Sequence, residues 1–600
     1  LTPPLKERTF PFISPRWSYH FRWVTLSIAV GVVSGIGAIV FDGLLLFILK
    51  HTITLFTGYM EPVRGAPVAQ VLGFVSPYNY LLILIPTLGG LISGIIVYTL
   101  APETAGDGTD AMIEAFHKKG GFMRTRAPFV KIVSAAITIG TGGSAGKEGP
   151  ISQIGAGFGS VLATTLKLRP RERRILTLAG AAAGLGAIFR APLGAALFAP
   201  EVLYREMEFE FEAILPCIIS SIVAYTVFTQ VYGRAAIFFP GPVDFALPKE
   251  LLPYAIFGVL CAAAGYVWIK VFHGMEHYFF ARLKIPRILK PTLGGLLCGV
   301  ILFFYPHVMD AGYGWVQMAL EGKMLWQTMF LMAAMKILAT SCTLGSGGSG
   351  GVFGPSVFIG AMLGGGFGYM GQQFFPNWVH YPYSFVLVGM GGFFAGVAKT
   401  PLAAIIMACE MSASYTLLVP LMLVSAISIL LLGKTGLYEK QVGTRLVSPA
   451  HVREFARGLL EDMYVRDALQ LRCVTTIPEN LHFGDLVQTV AKSPELYFPV
   501  VNAKGEMTGI LSVNDIREMM FEEGLDHLVV ARDVATPNVV RVFPKDSLQE
   551  ALDKMNTLQV DELPVVKEDA PNDIVGMLSK RDIIGYYHSR TGRPVSEGPL

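Results

Sequence analysis

The sequence predicts an all-α polytopic membrane protein with an inverted internal repeat, followed by a soluble α/β region. Three observations carry this. The 600 residues are 52% hydrophobic and only 16% charged, and the mean hydropathy of +0.50 is too high for a soluble protein. Apolar runs of spanning length recur from about Trp23 to Leu432, beginning near Trp23, Tyr80, Leu252, Thr292 and Leu417. Long segments of this apolar part occur twice. "PTLGGLISG" from Pro86 returns as "PTLGGLLCG" from Pro291, and "KIVSAAITIGTGGSAGKEGP" from Lys131 returns as "KILATSCTLGSGGSGGVFGP" from Lys336, both at an offset of 205. "AGLGAIFRAPLGAALFAPE", ending at Glu201, matches "GFFAGVAKTPLAAIIMACE", ending at Glu410, at an offset of 209.

These patterns set the expected boundaries. A cytoplasmic segment covers residues 1–20, a membrane domain covers 21–445 in halves of about 20–235 and 250–440, and a soluble region covers 446–600. The first apolar run, Trp23 to Leu49, is too long for the core of a signal peptide. Basic residues Lys6, Arg8, Arg16 and Arg22, and the cluster "RPRERR" from Arg169, mark cytoplasmic faces. The soluble region is most simply cytoplasmic too. A net charge of +3 gives no reason to expect a nucleic-acid partner. The six cysteines are scattered and form no Cys-x-x-Cys, so neither a disulfide framework nor a zinc site is expected. His117, His277 and the other histidines lack metal spacing and read as structural or interfacial. No Ser-His-Asp, Cys-His or metal-ligand set converges, which argues against an enzyme.

The stretch "GTGGSAGKEGP", Gly140 to Pro150, places a lysine and a glutamate inside an apolar region. A phosphate-binding loop is excluded: Thr141 stands where the first glycine belongs, and Glu148 follows the lysine where Ser or Thr is needed. A helix-packing seam explains glycines but not the acid. An ionisable side chain at membrane depth costs about 3 kcal/mol or more and marks a pathway. Broken helices at matching places in two repeats leave backbone N–H groups free to face a wet cavity, where they form an anion site without a fixed counter-charge.

With these residues in hand, the chain resembles the CLC family of chloride channels and chloride/proton antiporters. "GKEGP" from Gly146 resembles the family's G-[RK]-E-G-P, "GVFGP" from Gly351 its G-x-F-x-P, and "GLY" ending at Tyr438 sits where the family carries its pore tyrosine. The resemblance implies that Glu148 is the gating glutamate, flanked by Gly146, Lys147 and Gly149 in the anion-binding stretch. It implies a central anion site made by the N–H groups of Val352 and Phe353 with the Tyr438 hydroxyl. Lys147 would add positive potential near the outer mouth, or form an ion pair. A homodimer with one pore per subunit, seated in the lipid bilayer, is also implied, in the cell membrane if the source is prokaryotic.

Two departures stand out. Where the family has G-S-G-I-P, this chain reads "GDGTD", so Asp107 replaces a serine that contacts the central anion. Asp107 reads either as the N-cap of the helix beginning near Thr109 or as an inner carboxylate that blocks or gates the path. Where coupled antiporters carry a second glutamate after the one matching Glu201, this chain has Val202, which cannot carry a proton. Glu201 and its repeat partner Glu410 read as structural acids at helix ends. Val202 resembles the channel members, although some antiporters also lack that glutamate.

The soluble region carries a second repeat. "FPVVNAKGEMTGILSVNDI" from Phe498 matches "LPVVKEDAPNDIVGMLSKRDI" from Leu563, each a strand, a turn, a strand and a Ser-x-x-Asp opening a helix. This resembles a tandem CBS pair, with modules at about 460–525 and 530–590. The resemblance implies adenine-nucleotide binding (ATP, ADP or AMP) at Ser512 and Asp515 or at Ser579 and Asp582. Helix capping explains the same spacing, and both can hold at once. The expected function is a chloride-selective anion channel gated by Glu148 and modulated by the CBS pair. A chloride/proton antiporter is the alternative.

Overall fold

The computed structural model describes residues 15–62, 79–241, 248–451, 460–469, 474–519 and 526–591. Lys6, Arg8 and Cys473 lie outside them. The chain forms two compact units, Leu1–Ala450 and His451–Leu600.

The first unit is helical. Its first half comprises α1 (Pro15–Leu49), α2 (Leu81–Leu100), α3 (Gly108–Lys118), α4 (Ala127–Gly140), α5 (Glu148–Thr165), α6 (Pro170–Phe189), α7 (Pro192–Glu201) and α8 (Phe211–Tyr232). The second half repeats the series as α9 (Leu251–Gly274), α10 (Lys290–Phe304), α11 (Tyr313–Leu320), α12 (Trp326–Gly345), α13 (Phe353–Phe374), α14 (Ser384–Ala398), α15 (Pro401–Ser412) and α16 (Leu418–Leu432). Among the described residues, six helices are long and apolar enough to cross a membrane. The shorter ones, such as α4, α14 and α15, are the broken pieces that the Gly-rich segments predict.

Local sequence places the breaks. α4 stops at Gly140 and α12 at Gly345, where Gly142 and Gly347 take left-handed φ values of +97° and +93°, open to glycine without a Cβ penalty. α6 ends on Arg190 and α14 on Lys399, both left-handed, and the next helix then starts on a proline, Pro192 or Pro401. Proline suits a first turn because that N–H has no intrahelical partner in any case.

The halves are related by a two-fold rotation, visible in reciprocal contacts. A Cβ on Gly90 would lie 2.2 Å from the Pro291 carbonyl oxygen, and one on Gly295 would lie 2.2 Å from that of Pro86. Only glycine lets α2 and α10 approach so closely, which is how membrane helices gain packing energy when lipid is as apolar as their side chains. The same symmetry governs two acids. Glu201, at the end of α7, accepts the N–H groups of Leu402 (3.0 Å) and Ala403 (2.8 Å) at the start of α15. Glu410 on α15 accepts those of Leu193 (3.2 Å) and Gly194 (2.8 Å) at the start of α7. Each half caps a helix of the other and satisfies amides that have no intrahelical acceptor.

The second unit holds two small sheets. β1 (Ile477–Pro478) runs parallel to β2 (Tyr497–Val501), which pairs antiparallel with β3 (Met507–Ser512). β4 (Glu562–Val566) pairs antiparallel with β5 (Ile574–Ser579). The registers match: Tyr497 faces Ser512 as Glu562 faces Ser579. α17 (Val513–Met519) and α18 (Lys580–Thr591) follow the two hairpins. Each module has its own apolar core, around Phe498 and Leu511 in one and Val565 and Leu578 in the other.

Glu201→Ala removes two charge-assisted hydrogen bonds and strands the buried Ala403 amide, and should cost about 3 kcal/mol. A lowered denaturation midpoint in detergent will measure it. Glu201→Gln retains one acceptor and should lose less.

Candidate functional site

At the middle of the first unit the N-termini of α3, α5 and α13 meet. Each helix start carries partial positive charge and free N–H groups, and two carboxylates answer them. Asp107 precedes α3. Its Oδ2 accepts the N–H groups of Thr109 (2.9 Å) and Asp110 (3.2 Å), so it caps that helix. Its Oδ1 reaches across to α13 and accepts the Val352 N–H at 3.2 Å. Glu148, the first residue of α5, is 1% exposed. Its Oε2 accepts the Gly354 N–H at 3.2 Å, and its Oε1 accepts the Tyr313 hydroxyl. The two carboxylates therefore sit on amides two residues apart at one helix start.

The glycines around them are steric necessities. A Cβ on Gly149 would lie 2.7 Å from the Gly351 Cα, and one on Gly146 would lie 2.9 Å from the Gly354 nitrogen. The two broken segments are tied at their equivalent glycines, where the Gly146 N–H donates to the Gly351 carbonyl at 2.8 Å. Val352 and Phe353 are buried, and the Phe353 ring packs between Phe189 and Phe394 at centroid distances of 4.6 and 4.2 Å. Tyr438 is 1% exposed, and its hydroxyl has no partner at hydrogen-bond geometry among the described residues. The segment carrying it is pinned by the Leu437 N–H on the Val397 carbonyl (2.8 Å) and by Gln441 Nε2 on the carbonyls of Val202 and Ala398 (both 2.9 Å). Val202 thus contributes a carbonyl and a fully buried apolar side chain.

Lysines complete the electrostatics. Lys147 pairs with Asp42 at 2.8 Å. Lys131 and its repeat partner Lys336 are fully buried and point their ammonium groups at backbone carbonyls. Lys131 donates to Thr104 (3.0 Å) and Gly106 (2.9 Å), and Lys336 donates to Val308 (3.1 Å) and its neighbours. They hold in place the short segments leading into α3 and α11. His117 is buried between Ser448 (2.8 Å) and the Leu203 carbonyl (3.1 Å), and His277 bonds to Glu439. A cavity of about 400 Å³ reaches Asp107 from one side, lined by Glu103, Asp110, Glu114, Glu276 and Glu439 among others.

Tyr313 escaped sequence reading. Its position at the start of α11, the repeat partner of α3, is the signal that could have found it.

In the second unit both Ser-x-x-Asp motifs cap helices. Asp515 Oδ2 accepts the N–H and hydroxyl of Ser512, both at 2.8 Å, and Asp582 Oδ2 accepts those of Ser579 at 3.1 and 2.6 Å. The environments differ. Ser512 and Asp515 line a cavity of about 270 Å³ together with Tyr497 from the first module and Thr536, Asn538, Val560 and Leu563 from the second. Ser579 and Asp582 are not among its lining residues.

The family model described as "Voltage gated chloride channel" matches residues 89–433, and the CBS domain model matches 465–522 and 531–589. The chain is 30% identical over 417 residues to chloride channel protein CLC-e of Arabidopsis thaliana, covering 66% of this chain and 57% of that protein. It is 27% identical over 437 residues to the H(+)/Cl(-) exchange transporter ClcA of Yersinia pestis bv. Antiqua (strain Angola), covering 72% and 87%. A solved structure of a slow cyanobacterial Cl-/H+ antiporter superposes with a TM-score of 0.61 at 24% identity, over 70% of this chain and 96% of that one. The two helical halves, the acid-bearing "GKEGP" break and the hairpin-helix pair after them thus have one common explanation: the chain belongs to the voltage-gated chloride channel (CLC) family of integral membrane proteins, with a tandem CBS pair.

Proposed function

We propose that the chain is a chloride/proton antiporter in which Glu148 is the moving gate. One observation carries this reading: the Glu148 carboxylate rests on the Gly354 amide and the Tyr313 hydroxyl, donors that an anion would use equally well. An ionised carboxylate mimics chloride at such donors. A proton removes its charge and frees the place for the anion, so proton and anion occupancy are linked at one site. The exchange transporter among its relatives favours this reading over a passive channel. Val202 is the feature that favours the channel, since it supplies no proton carrier there.

Each subunit of a homodimer carries its own path through Asp107, Val352, Phe353 and Tyr438 to Glu148. The role of Lys147 is indirect: held by Asp42, it adds positive potential beside Glu148. The CBS pair faces the cytoplasm and takes an adenine nucleotide in the 270 Å³ cavity. Asp515 is suited to a ribose hydroxyl, Ser512 and Thr536 to phosphate oxygens, and Ile510, Val560 and Leu563 to the base.

In liposomes clamped with potassium and valinomycin, a chloride gradient should drive protons uphill in the wild type. Chloride efflux without stoichiometric proton movement would make the protein a channel. Glu148→Gln should lower proton movement about tenfold or more while chloride still flows, because a group that must carry the proton no longer titrates. For the soluble unit, Asp515→Asn should weaken AMP binding in calorimetry about tenfold, the worth of one charge-assisted hydrogen bond. Asp582→Asn should leave it unchanged.

A further inference from the structure

We infer that Asp107 is a second tethered carboxylate: ionised, it holds the inner anion place on the Val352 amide, and protonated, it yields that place and carries the proton between the inner cavity and Glu148. The inference rests on the antiport reading for its proton half only.

Four observations support it. First, Asp107 does more than cap a helix. Oδ2 alone satisfies Thr109 and Asp110, leaving Oδ1 for Val352, an amide on another helix in the opposite repeat. Second, the buried Tyr438 hydroxyl lies beside Asp107 and Glu148, with the Thr109 side chain as its near neighbour. An anion that displaced Oδ1 would find this donor and the Val352 N–H waiting. Third, Asp107 lines the 400 Å³ cavity and Val202 does not, so the cavity offers a proton a route to Asp107 that does not pass Val202. Fourth, the other acid near Val202 is committed. Both oxygens of Glu201 accept amides of α15, and Glu201 does not line the cavity.

The groups that face Asp107 from its neighbours set its behaviour. Lys131 approaches from α4 with its ammonium held by the Gly106 carbonyl. Asp110 lies one turn along α3, Glu276 follows α9, and Glu439 follows Tyr438 along the cavity wall. Lys119, Arg124, His273 and Lys440 also line the cavity, so Asp107 faces groups of both signs. In the step itself, the Asp107 O–H gives its proton to the Glu148 carboxylate, directly or through a water, and the Asp107 carboxylate left behind settles on the Val352 amide. A hydronium ion arriving through the cavity then reprotonates Asp107, and chloride takes the place that the neutral acid leaves.

The test uses the full-length protein with Asp107→Ser and Asp107→Asn. Asparagine keeps an N-cap oxygen but cannot titrate, so it separates capping from proton carriage. Calorimetric titration with chloride, in a Glu148→Gln background, should show wild-type binding strengthening about tenfold from pH 8 to pH 5 as the competitor is protonated. Asp107→Ser should bind chloride equally at both values. In liposomes, the proton-to-chloride ratio should fall at least tenfold in both variants while chloride efflux persists. Chloride binding in Asp107→Ser that keeps the wild-type pH dependence would overturn the inner-competitor role. A proton ratio unchanged in Asp107→Asn would overturn the carrier role. If the wild type moves no protons yet Asp107→Ser gains pH-independent chloride binding, the antiport reading fails and the competitor stands.

Discussion

Everything in the membrane unit depends on how backbone N–H groups freed at broken helices are satisfied where water is scarce. An amide left bare in hydrocarbon costs several kcal/mol. The chain answers with carboxylates: Asp107 and Glu148 at the pathway, Glu201 and Glu410 at the α7 and α15 starts. The two pairs differ in consequence. Glu201 and Glu410 are fixed to both partner amides and are structural. Asp107 lines a cavity and Glu148 shares its helix start, and on the proposed reading their places are open to exchange with an anion.

This distinction explains why one departure from the family pattern weighs more than the other. Losing a glutamate at 202 leaves a buried valine whose carbonyl still anchors the Tyr438 segment through Gln441, so the local structure is intact without an acid there. Gaining an acid at 107 adds a charge at a helix junction that already offers three amides to it. The aspartate is stabilised by the same helix-start field that favours any anion there, and on the proposed reading it competes with the transported ion for those donors.

Much of this was legible in the sequence. The 205-residue offset gave away the two halves, and glycines at matched places marked the breaks, because a left-handed φ at Gly142 and Gly347 is a local demand. The N-cap at Asp107 was legible for the same reason. The Tyr313 contact to Glu148, the Lys147–Asp42 pair and the reach of Asp107 to Val352 were not. Each joins residues more than a hundred positions apart, and nothing in local spacing encodes such a meeting. The two Ser-x-x-Asp motifs were equally legible as caps, but only packing between the modules gives one of them a cavity.

The exchanged caps also bear on how the chain is made. While the first half is being synthesised, Glu201 has no acceptorless amides to meet, because residues 402 and 403 do not yet exist. The α7 start waits likewise for Glu410. Neither half is therefore a finished object in the bilayer, and the nascent protein must hold an uncompensated acid and a bare helix start until some two hundred further residues have been inserted.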